Sequence, residues 1–244
     1  MKLKVVSSGS IGNAYIVHND DEALLIECGV KFGDIKQSLN FNLKKVVGCI
    51  VSHSHQDHCK GVREAVNAGI NVHCLKETAE TFGFKSHRLK YIRPETSFNI
   101  GNFKIMGFPL QHDVPCLGFM IEHSETGKFV FLTDTYFCEY TFPGLHNMII
   151  EANYCQNILD AKVAAGATPE FLRNRVLKSH MSLATCKEFL KANDLSKVNN
   201  ILLIHLSDSN SNADQFKREI KEQTVKTVNV ASKGLEINFN KTPY

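Results

Sequence analysis

The chain has 244 residues, 43% hydrophobic and 22% charged, and 28 Lys and Arg against 25 Asp and Glu leave a net charge of +3. This ordinary globular balance excludes disordered, collagen-like and coiled-coil proteins. So small a charge makes no case by itself for a nucleic-acid partner, although it leaves room for a local basic groove. In chain order, short β-type runs occupy 2–6, 14–18 and 22–28, bounded by SSGSIGN and NDD. A helical stretch follows at about 31–40, then a buried strand at 44–52, a helix at 60–69 with Gly69 as its C-cap, a strand at 71–75 and a short helix in KETAETFG. The second half resembles the first. Strands are expected at 97–100, 103–109, 117–122, 128–133 and 146–152, and helices near 155–164, 169–178 and 182–193. A strand at 199–205 and a helix at 212–223 follow, and 227–231 is expected to pair with 235–239 across SKG. The polar stretch 153–180 is the least regular part of this pattern.

Blocks of strands followed by strand–helix alternation thus occur twice. An α/β chain with two mixed sheets face to face and helices outside satisfies that order, in a single domain over 1–244. No apolar run approaches the roughly 20 residues of a membrane span. The opening MKLKVVSSGS lacks the apolar stretch and cleavage site of a secretion signal, so a cytoplasmic protein with no membrane association is expected. The eight Cys form no CxxC pair, and several sit in apolar runs such as VVGCIV, which reads as small buried thiols in a reducing compartment.

The chemistry concentrates in Ser52-His53-Ser54-His55-Gln56-Asp57-His58, between an apolar strand and a helix. Three His and an Asp within six residues, on one turn, can converge on a point, and imidazole and carboxylate are ligands that suit zinc, manganese or iron. Further candidates each follow an apolar strand: His112 after FKIMGFPLQ, Asp134 after KFVFLT and His205 after NNILLI. Side chains just past the ends of neighbouring strands can meet above the sheet edge. His18, His73, His87, His123 and His146 read as polar residues of strands and surface, and Cys59 and Cys116, beside the ligand candidates, as packing residues.

With this ligand pattern the chain resembles the metallo-β-lactamase superfamily. The resemblance implies a four-layer αββα sandwich with a di-metal site at one edge of the two sheets. It implies that His53, His55 and His112 hold one divalent ion, that Asp57, His58 and His205 hold the second, and that Asp134 bridges them. Zn²⁺ and Mn²⁺ are the expected ions, and a bridging hydroxide of lowered pKa is the expected nucleophile. SSGSIGNAYIV, DHCKGV, LQHDVPCLGFMIE, MIIEANY, LRNRVLKSHMSLATCKEFL and LIHLSDSNSN are similar to segments of the YycJ/WalJ exonuclease group, so the similarity runs from residue 3 to about 216. Glu27 stands where the family usually has Asp, and Ser52 where it has Thr. Glu27 can still reach the His loop as an acceptor.

His180, in a SHMS segment before a helix, resembles a His that lies by the scissile phosphate in ribonuclease J nucleases. His180 and Asp57 are therefore the candidate catalytic residues, and Ser182 is expected to cap the helix. DNA is the expected substrate. Two groups of basic residues are candidates to track its backbone: Lys31, Lys36, Lys44, Lys45, Lys60 and Arg63 near the His loop, and Arg173, Arg175 and Lys178 before His180. The alternative is a small-molecule hydrolase of the same fold: foremost a cyclic nucleotide phosphodiesterase, then a lactonase or thioesterase. A homodimer is compatible with the sequence. A catalytically dead binding module would require a degenerate ligand set, and all seven ligand positions are filled.

Overall fold

Central strands of this chain are apolar at odd and even positions alike, so both faces must be covered. The computed structural model, which describes residues 1–243, shows how. In the first half come β1 (Lys2–Ser7), β2 (Ala14–His18), β3 (Ala23–Ile26), α1 (Phe32–Ser38), β4 (Val46–Ile50), α2 (Gln56–Cys59), α3 (Val62–Asn67), β5 (Val72–Cys74), α4 (Lys76–Thr81) and β6 (Leu89–Tyr91). The second half has β7 (Ser97–Ile100), β8 (Phe103–Leu110), β9 (Cys116–His123), β10 (Gly127–Leu132), β11 (Leu145–Glu151), α5 (Gln156–Ala164), α6 (Glu170–Ser179), α7 (Leu183–Ala192), β12 (Asn200–Ile204), α8 (Ala213–Thr224), β13 (Thr227–Val230) and β14 (Glu236–Asn238).

The strands form two seven-stranded sheets, β14-β1-β2-β3-β4-β5-β6 and β13-β12-β11-β10-β9-β8-β7. In each, an antiparallel half turns parallel from its fourth strand onward, from β3 to β6 and from β10 to β13. Alternation sorts the side chains into three cores. Phe129, Phe131, Ile149, Leu202 and Ile204 face the other sheet, where they meet Leu24, Ile26 and Tyr15. Their neighbours Val130, Leu132, Met148, Ile150, Ile201 and Leu203 face outward onto α7 and α8 through Leu183, Leu190, Phe216 and Ile220. Leu25, Cys49, Val51 and Val72 face the other way, onto α1 and α3. Cys28, Cys49, Cys59 and Cys74 lie in this last core as small apolar groups. Burying a Leu or Phe contributes roughly 1.5–3 kcal/mol, so helix–sheet–sheet–helix layering is the arrangement that uses every apolar face.

One expected pairing is corrected. Strands β13 and β14 are not a hairpin: β13 runs parallel to β12, while β14 runs antiparallel to β1 in the other sheet. Local turn chemistry at SKG is real, and Gly234 takes φ +85°. It turns the chain across the sandwich instead, because α8 returns β13 beside β12 as a parallel crossover and β1 offers β14 an edge. Three short elements were not foreseen: a 3-10 turn at Leu43–Lys45, where the strand was expected to begin, α2, on the His loop itself, and β6.

At the edge where β9 ends and β10 begins, buried Glu22 joins the sheets by accepting hydrogen bonds from Asn102 N (3.0 Å), Asn102 Nδ2 (2.8 Å) and His123 Nε2 (3.0 Å). Burial raises its pKa, but the Asn102 donors and His123 outweigh that and hold it below its ordinary 4.5. A carboxylate of lowered folded-state pKa stabilises at pH above its unfolded value, and that contribution is lost as pH falls through the lowered one. Glu22→Gln should therefore cost about 1–3 kcal/mol near pH 7, the scale of hydrogen bonds to a charged group. Denaturant titration should find the gap to wild type closing below about pH 4; a gap constant down to pH 3 would remove Glu22 from this role.

Candidate metal centre

The parallel strands deliver their C-terminal ends to one edge, where α/β sheets bind ligands. The His loop leaves β4, Asp134 follows β10, Glu151 ends β11, His205 follows β12 and His112 lies just beyond β8. Glu27, Asp134 and His205 sit at strand exits with φ of 65°, 47° and 54°. Such left-handed residues cost of order 1–3 kcal/mol when they are not glycine, and persist where the surroundings over-determine them.

The His loop is fixed by main chain. Asn13 N donates to Asp57 O (2.7 Å) and Cys28 N to His58 O (2.9 Å). A Cβ on Gly29 would lie 1.6 Å from Asp57 O, so only glycine permits this approach.

Two donor groups result. In one, His53 Nε2 and His112 Nε2 lie 3.1 and 3.2 Å from His55 Nδ1, and 3.6 and 3.8 Å from Asp134 Oδ2. In the other, His58 Nε2 and His205 Nε2 each lie 3.3 Å from Asp57 Oδ2, and 3.4 and 3.8 Å from Asp134 Oδ1. Asp134 thus turns one oxygen to each group. Four donors at about 2.0–2.1 Å from a tetrahedral ion stand about 3.3 Å apart, so both groups fit divalent cations.

The proton bookkeeping agrees. His112 Nδ1 donates to Ser179 O (3.1 Å), which leaves Nε2 with its lone pair toward the cluster. His53 Nδ1 is held by Ser52 Oγ (2.8 Å), and His205 Nδ1 faces Glu151 Oε1 (3.3 Å). His58 Nδ1 and Glu27 Oε2 are buried 3.4 Å apart, with no other partner among the described residues. Glu27, one methylene longer than the family's usual Asp, therefore does reach the His loop, and its Oε1 also accepts from Ser52 N (3.1 Å).

Charge is concentrated here without an ion pair to Lys or Arg. Among the described residues, none of Asp57, Asp134, Glu27 and Glu151 forms an ion pair with either. Burial, the largest influence, disfavours charge on His58 and His205, yet Asp134 and its neighbouring carboxylates override it: His58 is raised well above its ordinary value and His205 to about 10. Burial and then His205 and His58 act oppositely on Asp134, whose pKa ends far below the carboxylate range. Burial lowers His53 and His112, which favours neutral, ligating imidazole. Cations bound here compete with the protons on His58 and His205.

A model of the metallo-beta-lactamase superfamily matches residues 8–135, more than half of the chain, and this match spans the His loop, His112 and Asp134. The chain belongs to the metallo-beta-lactamase superfamily. It is 24% identical over 240 residues to exodeoxyribonuclease YycJ of Bacillus anthracis, covering 91% of this chain and 88% of that one. It is 25% identical over 231 residues to exodeoxyribonuclease WalJ of Streptococcus pneumoniae, covering 86% and 83%. The metallo-beta-lactamase fold protein YhfI of Bacillus subtilis superposes with a TM-score of 0.75 at 19% identity, covering 97% of this chain and 98% of that one, which shows the fold.

Around the two donor groups lies a cleft of about 320 Å³. His180 lines it, its Nδ1 2.7 Å from Glu151 Oε1 and its ring stacked on His205 at 5.2 Å and 15°. Burial alone would lower the pKa of His180, but Glu151 raises it above its ordinary value. Ser182 caps α7 by accepting from Thr185 N (3.0 Å). Of the basic residues before His180, Arg175 lines the cleft, and its guanidinium has no partner among the described residues; Arg173 is held by Asp160 (2.7 Å). None of Lys31, Lys36, Lys44, Lys45, Lys60 and Arg63 lines it: Arg63 lies over Phe84 and Lys45 bonds to Asn19 O.

Cys59 and Cys116 are thiols in the packing. Burial pushes Cys59 up to about 12 and Cys116 well above its ordinary value, and Cys116 Sγ lies 3.7 Å from His53 Nδ1. His18, His73, His87, His123 and His146 all lie outside the cleft.

Three supporting residues escaped sequence reasoning. Glu151 is fully buried and, besides its histidines, accepts from Thr135 N and Met181 N (both 3.1 Å). Asn13 places Nδ2 3.1 Å from His58 Nε2, and Asn153 Nδ2 donates to His205 O (2.8 Å). The available signal was a charge inside an apolar run, MIIEAN, and the Asn closing SSGSIGN.

Proposed function

We propose that this superfamily hydrolase is a di-metal phosphodiesterase that degrades DNA from an end in the cytoplasm, with Zn²⁺ or Mn²⁺ bound by His53, His55, Asp57, His58, His112, Asp134 and His205. The observation that carries the reading is that His180 and the unpaired Arg175 line the same cleft as His55 and His112 of one donor group and Asp57 and His205 of the other. The near full-length similarity to two exodeoxyribonucleases supports DNA among phosphodiesters.

Cations held there supply Lewis acidity: they neutralise charge developing on phosphate and lower the pKa of water. The chain's own groups do the rest. Arg175 pairs with a non-bridging phosphate oxygen and draws the substrate against the site. His180, its Nδ1 fixed by Glu151, presents Nε2 to donate a hydrogen bond to that phosphate or a proton to the leaving oxygen. Asp57 engages His58 and His205 through Oδ2, which leaves Oδ1 to orient the attacking water. Among the described residues no helix is long and apolar enough to cross a membrane.

End-labelled duplex and cyclic mononucleotides, assayed side by side at two salt concentrations, test the substrate. A polymer displaces counterions along several phosphates, so DNA cleavage should fall steeply with salt, and Arg175→Ala should reduce the logarithmic slope by about 1. Turnover of the cyclic substrates with the duplex intact would overturn the exonuclease reading and leave the metal centre standing.

A further inference from the structure

The far edge of the second sheet carries a pocket of about 550 Å³ unrelated to the metal centre. It opens where β10 and β11 begin, six residues of strand before Asp134, hence about 20 Å away at 3.3 Å per residue. Lys104, Lys128, Lys197 and Lys241 converge on it with His146, and Glu122 is its one acid. Glu122 stands between Lys104 and Lys128 as the cross-strand partner of both. No ion pair is formed by any of the four lysines among the described residues. Four Lys and one Glu put +3 into this pocket, as much as the whole chain carries.

The backbone segments that carry the lysines are held by built structure. Lys104 and Lys128 are strand residues. Asn199 N donates to His146 O (2.7 Å), which pins the segment bearing Lys197 to β11. Lys241 N donates to Glu125 O (2.7 Å), and the preceding carbonyl, Asn240 O, accepts from buried Asn147 Nδ2 (3.3 Å) and from Asn199 Nδ2 (3.1 Å). His146 packs against Gly127, where a Cβ would lie 2.4 Å from its Nδ1. Its Nδ1 accepts from Lys128 N (3.3 Å), which puts the proton of the neutral ring on Nε2. That leaves four ammonium groups and one imidazole N–H, every one a donor. Burial first, then Lys197 and Lys241, lower the pKa of His146, as a concentrated positive field requires.

We infer that this lysine pocket is a second binding site, distinct from the metal cleft, for a multiply charged phosphate anion. Two sources share that chemistry: a small molecule bearing linked phosphates, and the backbone of a nucleic acid lying across this edge. The pocket is independent of the reaction proposed for the metal centre.

Calorimetry with inorganic pyrophosphate, in EDTA to keep the metal cleft out of the measurement, tests the site. Wild type and Asp134→Ala should bind it alike, and Lys128→Gln/Lys197→Gln at least tenfold more weakly, with hydrolysis of a chromogenic phosphodiester unchanged in the double variant. The His146 ring resonances should move on binding and titrate at higher pH, because a bound anion offsets the lysine field. A short DNA duplex that competes with pyrophosphate identifies the backbone as the source; failure to compete identifies a small anion. Equal pyrophosphate affinity in wild type and the double variant, or an unmoved His146, would overturn the proposal.

Discussion

Asp134→Ala should purify with less than one transition metal per chain, where the wild type, prepared without chelator, carries about two. The expectation follows from one carboxylate serving two donor groups: Oδ2 faces His53 and His112, and Oδ1 faces His58 and His205. Removing it takes a ligand from both ions at once and leaves His58 and His205 without the buried charge that most strongly favours their protonated forms. Loss of any single terminal ligand, such as His55, should weaken one ion more than the other. Elemental analysis of Asp134→Ala beside His55→Ala makes the comparison, and equal metal content in Asp134→Ala and wild type would sink the bridging role. Phosphodiester turnover should fall with the metal, by several orders of magnitude, since cation binding and the chemistry it supports are lost together.

His180→Ala should behave in the opposite way, keeping both metals and losing roughly 10²–10⁴-fold in turnover, the scale of acid–base or oxyanion assistance. Its Nδ1 is committed to Glu151, and although it also stands with Asp134, Glu151 and His205 in a third group of donors, the two groups that Asp134 joins assemble without it. Glu151→Gln provides the contrast. Its carboxylate faces His205 as well as His180, so it should lose both turnover and, by roughly 10–100-fold, metal affinity. Loss of metal from His180→Ala would make that residue a ligand and remove it from the proton-donating role.

Much of this centre is readable in one dimension because its candidate ligands share a rule. His53, His55, Asp57 and His58 fall within six residues, and His112, Asp134 and His205 each follow an apolar strand, so their convergence at one sheet edge needs only the strands to be adjacent. Glu151 obeys the same rule at the end of β11, yet a buried Glu earns its role only through Thr135, His180, Met181 and His205, which lie far from it in sequence or on other elements. The exchange of β14 for a local hairpin partner has the same origin. Turn residues are local, whereas the choice between β1 and β13 depends on which sheet edge is open. The lysine pocket is assembled from positions 104, 128, 197 and 241, and spacings so wide leave no trace in a near-neutral composition.

Glu151 also bears on how such a site can change over generations. One carboxylate faces Nδ1 of His205 and fixes the orientation of His180, while its second oxygen holds main chain from the loops that carry Thr135 and Met181. Substitutions among these residues are not independent, because groups in one hydrogen-bonded network couple by about 0.5–3 kcal/mol. A lineage drifting toward different chemistry would therefore find His180, Glu151 and His205 replaceable as a set and resistant one at a time, which makes the triad a heritable unit although its members lie on three separate segments of the chain.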